Sequence, residues 1–189
     1  QTLDGLVFNN SGGTATPSVT TGGVLSFTGG VGSIVVTSQN LATTPLISGT
    51  ILNTGSLAVS VGAIQPNGFN AAPLSPALSI TAAIGGTGSM SVTGAGMLQL
   101  AGNNTFSGGV TLNNAGVLVA NSSAFGTGIL SVGPGVVLTA SGADRTLANT
   151  TIFQGTPVFS SDGASSTLSL NGPITLQGGS QLIVFNSPG

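Results

Sequence analysis

The sequence predicts an all-β protein whose second half winds as a solenoid, and three features carry that prediction. Short segments alternate apolar and polar residues, glycines punctuate them at turns, and from residue 96 onward some of those glycines return at a near-constant step. Alternation over four or five residues is the period of a strand with one buried face, and each segment is too short for a surface helix.

Taken in order, the strands of the first part are 24–27, 33–37, 56–60 and 78–80. Those of the second are 89–93, 97–100, 110–112, 117–119, 129–132, 136–139, 166–170 and 173–176, with a looser one at 150–153. Glycine doublets, Asn-Gly and Gly-Pro pairs separate them, and these are turn formers. Gly supplies 32 of 189 residues without a Gly-X-Y period, which excludes collagen. No segment reads as a helix.

The repeat is clearest in the second half. Gly96, Gly116, Gly135 and Gly155 follow one another at almost equal intervals. The first three are followed by Met97-Leu98, Val117-Leu118 and Val136-Val137. One coil of this length cannot bury its own apolar face, whereas stacked coils can. Parallel stacking brings like positions together, so Leu98, Leu118 and Val137 are expected to form one internal ladder. Phe106 and Phe125 are separated by the same interval and are expected to form an internal or rim aromatic stack.

A β-sandwich also has many short strands between frequent turns. The glycine step favours the solenoid for residues 81–189. Residues 1–80 are less regular and contain prolines at 17, 45, 66, 73 and 76. They are expected to form an irregular β-rich region, either β-helix or sandwich-like, with a projecting loop at 65–76.

Composition excludes several function classes. Asp4, Asp144, Arg145 and Asp162 are the only ionisable side chains, against about a quarter of residues in an ordinary domain. One Arg cannot neutralise the several phosphates that nucleic-acid binding requires, nor hold an anionic membrane surface. Apolar runs are only a few residues long, so no transmembrane segment is present. The opening Gln1-Thr2-Leu3-Asp4 lacks the basic start and apolar run of a signal peptide, so a mature product or a piece of something longer is expected.

The chemistry available is equally narrow. With no His, Cys or Lys, nucleophile–base triads, thiolate metal sites and Schiff-base chemistry are excluded. Asp144 and Asp162 are the one conceivable carboxylate pair for glycoside cleavage, but both stand in turn sequences where Asp is common. Calcium would need an Asp-rich loop that is absent. The glycine doublets lack the Lys and helix of a phosphate cradle. No catalytic residue, cofactor or metal is therefore expected. Asn9, Asn103, Asn121 and Asn149 head Asn-X-Ser/Thr triplets, whose frequency in so Ser/Thr-rich a chain is that of chance.

Residues 85–112, GGTGSMSVTGAGMLQLAGNNTFSGGVTL, and their continuation NAGVLVANSSAFGTGIL at 114–130 resemble the passenger-associated transport repeat, also called the autotransporter-associated β-strand repeat. Phe106 stands where members carry an aromatic between Asn-Thr and Gly-Gly, while Phe125 replaces the Leu of an Ala-Leu-Gly-Thr-Gly turn. The resemblance implies a right-handed parallel β-helix in a bacterial cell-surface or secreted protein, with no catalytic residues to transfer.

Joined to the low charge, which leaves little to oppose self-association, this gives the functional expectation. The chain is read as a structural unit of an extracellular fibre or surface layer whose partners are copies of itself, stacked head to tail through open coil ends. Leu6, Val7 and Phe8 are the candidate contact with the preceding subunit. The alternative is an adhesin-like segment that binds a cell surface or polysaccharide through loop 65–76.

Overall fold

The computed structural model describes residues 4–9, 16–38, 43–62, 75–162, 165–178 and 183–186. Residues 65–74 of the predicted loop lie outside the described residues. The strands of the first part are β1 (Gly5–Asn9), β2 (Ser18–Phe27), β3 (Val31–Ser38), β4 (Leu46–Asn53), β5 (Ser56–Val61), β6 (Leu78–Ile80) and β7 (Ala83–Gly85). There follow β8 (Ser89–Leu100), β9 (Val110–Val119), β10 (Leu130–Val132), β11 (Val137–Ala140) and β12 (Arg145–Leu147). The last are β13 (Thr151–Phe153), β14 (Val158–Ser161), β15 (Leu168–Leu170), β16 (Ile174–Leu176) and β17 (Val184–Asn186).

Every pairing among these strands is parallel. They form a parallel β-solenoid with three walls. The first wall runs β1-β3-β5-β8-β9-β10-β13-β16. The second runs from the start of β2 and β4 through β6, the ends of β8 and β9, then β11, β14 and β17. The third contains the ends of β2 and β4 with β7, and later β12 with β15.

Coil length follows from paired positions on the first wall. In the early coils Gly5 pairs with Ser33, Val31 with Ser56 and Ser56 with Ser89. In the later ones the partners lie closer along the chain, Met90 with Val110, Val110 with Leu130, Leu130 with Thr151 and Thr151 with Ile174. The same ladder therefore runs through both halves, with longer coils first.

The alternating residues of the first wall divide between interior and solvent. One inward row runs Leu6, Ile34, Val59, Val92, Leu112, Val132, Phe153 and Leu176. Its central members are at most 1% exposed. Each such side chain withdrawn from water contributes roughly 1.5–3 kcal/mol, which is why coils of this sequence stack. Between them on the outward side run Ser33, Ala58, Ser91, Thr111 and Ser131. These give an uncharged polar wall.

The second wall differs, because Met97, Leu118, Val137 and Thr139 point away from the first wall's core and are buried nonetheless. A wall buried on both sides loses its alternation. Its register corrects the ladder expected from sequence. Leu98 pairs with Val117 and Val117 with Leu138, whereas Leu118 pairs with Gln99 and Thr139, and Val137 with Gly116.

Glycine sets the corner between the third wall and the first. Gly30, Gly55, Gly88, Gly108 and Gly128 each stand two residues before equivalent positions of successive first-wall strands. A Cβ on Gly55, Gly88, Gly108 or Gly128 would fall within 3.0 Å of backbone in the preceding coil. Close approach of coils at this corner excludes a side chain. In the next coil Asn149 takes the position, and its Nδ2 donates to the carbonyls of Gly128 at 2.8 Å and Gly126 at 3.2 Å. At the corner between the first and second walls the chain bends through the left-handed region at Gly94 (φ 105°) and Asn114 (φ 45°), where Gly and Asn are tolerated.

Candidate functional site

Asp144, Arg145 and Asp162 lie together at the corner leading into the third wall, and each holds a turn, while Asp4 stands apart at the start of β1. The Gly142 N–H donates to Asp162 Oδ2 at 3.2 Å, and the Thr167 N–H donates to Asp144 Oδ1 at 2.7 Å. Arg145 donates through Nε and Nη2 to the Ser141 carbonyl, at 3.3 and 3.0 Å. The two Asp contacts fasten neighbouring coils, and the Arg145 contacts close a turn within one coil. Among the described residues no three His, Cys, Asp or Glu side chains come together. His, Cys, Lys, Glu and Tyr are missing from the sequence, and the fold that these contacts hold is a parallel β-solenoid.

A second group is internal and was not singled out from sequence. Asn104 is 2% exposed; its Oδ1 accepts from the Ile84 N–H at 2.9 Å and its Nδ2 donates to the Ala124 carbonyl at 2.7 Å. One side chain thus joins three consecutive coils at the place where the third wall's β7 is not continued by a strand in the next two. Asn121 acts similarly, accepting from the Ser123 N–H and donating to the Ala101 carbonyl. Asn53 is fully buried, with Nδ2 donating to the Ser89 carbonyl at 2.8 Å. Ser122, Ser123, Gly126, Thr127, Ala148 and Asn149 line a shallow cleft of about 250 Å³. The amide of Asn149 is committed to the coil below.

Phe106 and Phe125 both lie in the interior with no exposed surface. The close ring pair is elsewhere, Phe153 against Phe159, edge to face at 6.2 Å. Gly96 sits at the corner against Gly62, Gly116 within β9 opposite Met97 and Val137, Gly135 (φ 65°) at a turn beside Asn114, and Gly155 against Gly133 and Pro134. They are thus distributed over strand and corner positions rather than aligned in one row. Of the sequon asparagines, Asn9 and Asn103 are exposed and Asn149 is buried.

What the described structure leaves open is its two ends. At the first, β1 pairs only with β3 and β2 only with β4 among the described strands. Leu6 and Val19 are partly buried against the core, Phe8 is buried, and Val7 points outward at 68% exposure. At the other end β15, β16 and β17 each pair with one preceding strand. There Ile174 and Leu176 occupy the inward rows of Thr151 and Phe153. They are 50% and 55% exposed, whereas their predecessors are at most 1% exposed. Open strand edges combined with an uncovered apolar cross-section form a surface that another β-coil satisfies.

No curated protein and no solved structure matches the chain. A family model does match over part of it. Residues 91–120, which span all but the first two residues of β8, the Asn104 bridge, Phe106 and all of β9, match the passenger-associated-transport-repeat.

Proposed function

We propose that the chain is a structural unit of a bacterial extracellular fibre or surface layer, assembling through end-to-end contacts of a right-handed β-helix. The observation that carries the proposal is that, among the described strands, the outermost parallel edges pair on one side only and surround inward apolar residues that a further coil would cover. The repeat at 91–120 supports the bacterial repeat-protein setting. So does the scarcity of charge, since no strong field opposes contact between copies. The strong preference of parallel crossovers for the right hand supports the handedness. Within the unit, residues 1–80 are the irregular β-rich part with the projecting loop 65–76, residues 81–189 the part with transport-repeat-like coils, and Leu6, Val7 and Phe8 the contact with the preceding copy.

Electron microscopy and sedimentation of the purified chain at neutral pH test this reading. Filaments are the expected result. A monodisperse monomer at high concentration overturns it, and binding of such a monomer to cells or polysaccharide through loop 65–76 would replace it with the adhesin reading.

A further inference from the structure

Chance explains how many Asn-X-Ser/Thr triplets the sequence holds, but the fold presents them differently. Asn149 is 6% exposed, its Nδ2 donates to the carbonyls of Gly126 and Gly128, and Thr151, the hydroxyl residue of that triplet, is fully buried. Asn121 closes its own turn, accepting from the Ser123 N–H at 2.9 Å and donating to the Ala101 carbonyl at 3.3 Å. Asn9 is exposed, and the two residues that complete its triplet lie outside the described residues. Asn103 stands in another setting. Residues 103–107 run extended beside the preceding coil, the Thr105 and Ser107 N–H groups donating to the Ile84 and Gly86 carbonyls at 2.8 and 3.1 Å. Along this stretch Asn103, Thr105 and Ser107 are exposed, while Asn104 and Phe106 between them are buried.

We propose that Asn103 is an acceptor for an N-linked sugar. Such transfer needs an amide and a hydroxyl two residues further on, presented together at an accessible surface. The period-two alternation sets Asn103 and Thr105 on one side of the chain, roughly 7 Å apart. Among the described residues no hydrogen bond commits either side chain. The preceding coil leaves room beside them, because Gly85 and Gly86 carry no side chain there, and a Cβ on Gly85 would stand 3.4 Å from Thr105 Oγ1. In the reaction, Asn103 Nδ2 forms a bond to the anomeric carbon of a sugar activated as its diphosphate. The bond from that carbon to the diphosphate oxygen breaks, the diphosphate leaves, and one amide proton passes to a base of the transferase. The product suits this surface, since a chain with so few charged side chains depends on neutral polar groups for hydration, and a glycan supplies more of them.

Peptide mapping by mass spectrometry of the chain recovered from the cells that make it tests the proposal. A sugar on the Asn103 amide is the expected result. A single hexose identifies a nucleoside-diphosphate sugar as donor and a preassembled oligosaccharide a lipid-linked one, and either supports the assignment. Asn103→Gln and Thr105→Val should abolish the modification, whereas Thr105→Ser should retain it. Both positions face outward, so all three variants should keep the Tm of the unaltered polypeptide. A second arm exposes folded and denatured chain to one transferase and its donor. The folded chain should be modified at Asn103 and spared at Asn121 and Asn149, and the denatured chain should lose that selectivity. An unmodified Asn103 in the recovered chain overturns the proposal, as does a sugar linked through the oxygen of Thr105 or Ser107. Equal labelling of Asn103, Asn121 and Asn149 in the folded chain, or unchanged selectivity after denaturation, overturns its structural basis.

Discussion

Replacing Gly88 by Ala tests the idea that coil spacing is set by a column of missing side chains. The added methyl would lie within 3.0 Å of the Gly55 carbonyl oxygen and of the Asn53 side chain, and backbone cannot swing aside as a flexible side chain does. Relief requires the coils to separate locally. That movement strains two hydrogen bonds, Gly88 N–H to the Asn53 carbonyl at 2.9 Å and Ser89 N–H to the Gly55 carbonyl at 3.0 Å. Overpacking costs about 1–3 kcal/mol, and loss of one buried backbone bond adds about 1–3 kcal/mol. A deficit of about 3 kcal/mol lowers Tm by roughly 6–12 °C in a chain of this size. The control is Gly23→Ala, where nothing lies within 4 Å of the new Cβ and φ is not in the left-handed region. It should change stability by no more than about 1 kcal/mol, in the favourable direction if at all. Calorimetry on both variants decides the matter. Equal Tm for Gly88→Ala and the unaltered protein would refute the steric account of this corner.

Phe106→Ala removes a ring with no exposed surface and should destabilise by about 3–5 kcal/mol in urea titration. Asn104→Ala leaves the Ile84 N–H and the Ala124 carbonyl without their partner; a loss of about 2–4 kcal/mol is expected, with faster amide exchange at Ile84. Asn104→Asp places a carboxyl in the same enclosed position, where burial raises its folded pKa above the unfolded value of about 3.9. Its stability should therefore be greatest below about pH 4 and fall as pH rises toward the raised folded pKa, measured as Tm against pH relative to the unaltered chain. Thr139→Val removes a fully buried hydroxyl that has no hydrogen-bond partner among the described residues and should raise stability by about 1 kcal/mol, seen as a Tm gain of roughly 2–4 °C.

The strands easiest to read were those with one dry and one wet side. At 56–60 and 89–93 the alternation of Leu57, Val59, Met90 and Val92 with Ser, Ala and Thr follows the division between interior and solvent. Strands β1, β4, β7, β12, β14 and β17 were not read: five of them have only three to five residues, and in the eight-residue β4 the segment Ser48-Gly49-Thr50, with Gly49 at φ 102°, breaks the alternation. Glycines were visible, but their work was not. Gly96, Gly116, Gly135 and Gly155 share a numerical step while occupying different corners and strands, whereas Gly30, Gly55 and Gly88 form one column at unequal steps. Insertions elsewhere in a coil change the step and leave the column intact. Asn104 was equally hidden, since the sequence around it does not say which coils its amide joins.

An all-β chain of short strands, a repeated coil in the second half and the absence of His, Cys, Lys, Glu and Tyr were all legible in the sequence alone. Alternation, glycine frequency and residue inventory are local properties, and they survive without knowledge of what each coil touches. Tertiary structure decided the register, the three walls and the partners of the buried asparagines. On the second wall Leu118 and Val137 are buried on the side facing away from the core as firmly as Leu98 and Val117 are on the inner side. Where both sides are dry, hydrophobic pattern no longer distinguishes one register from the next, and only the stacking of whole coils selects it.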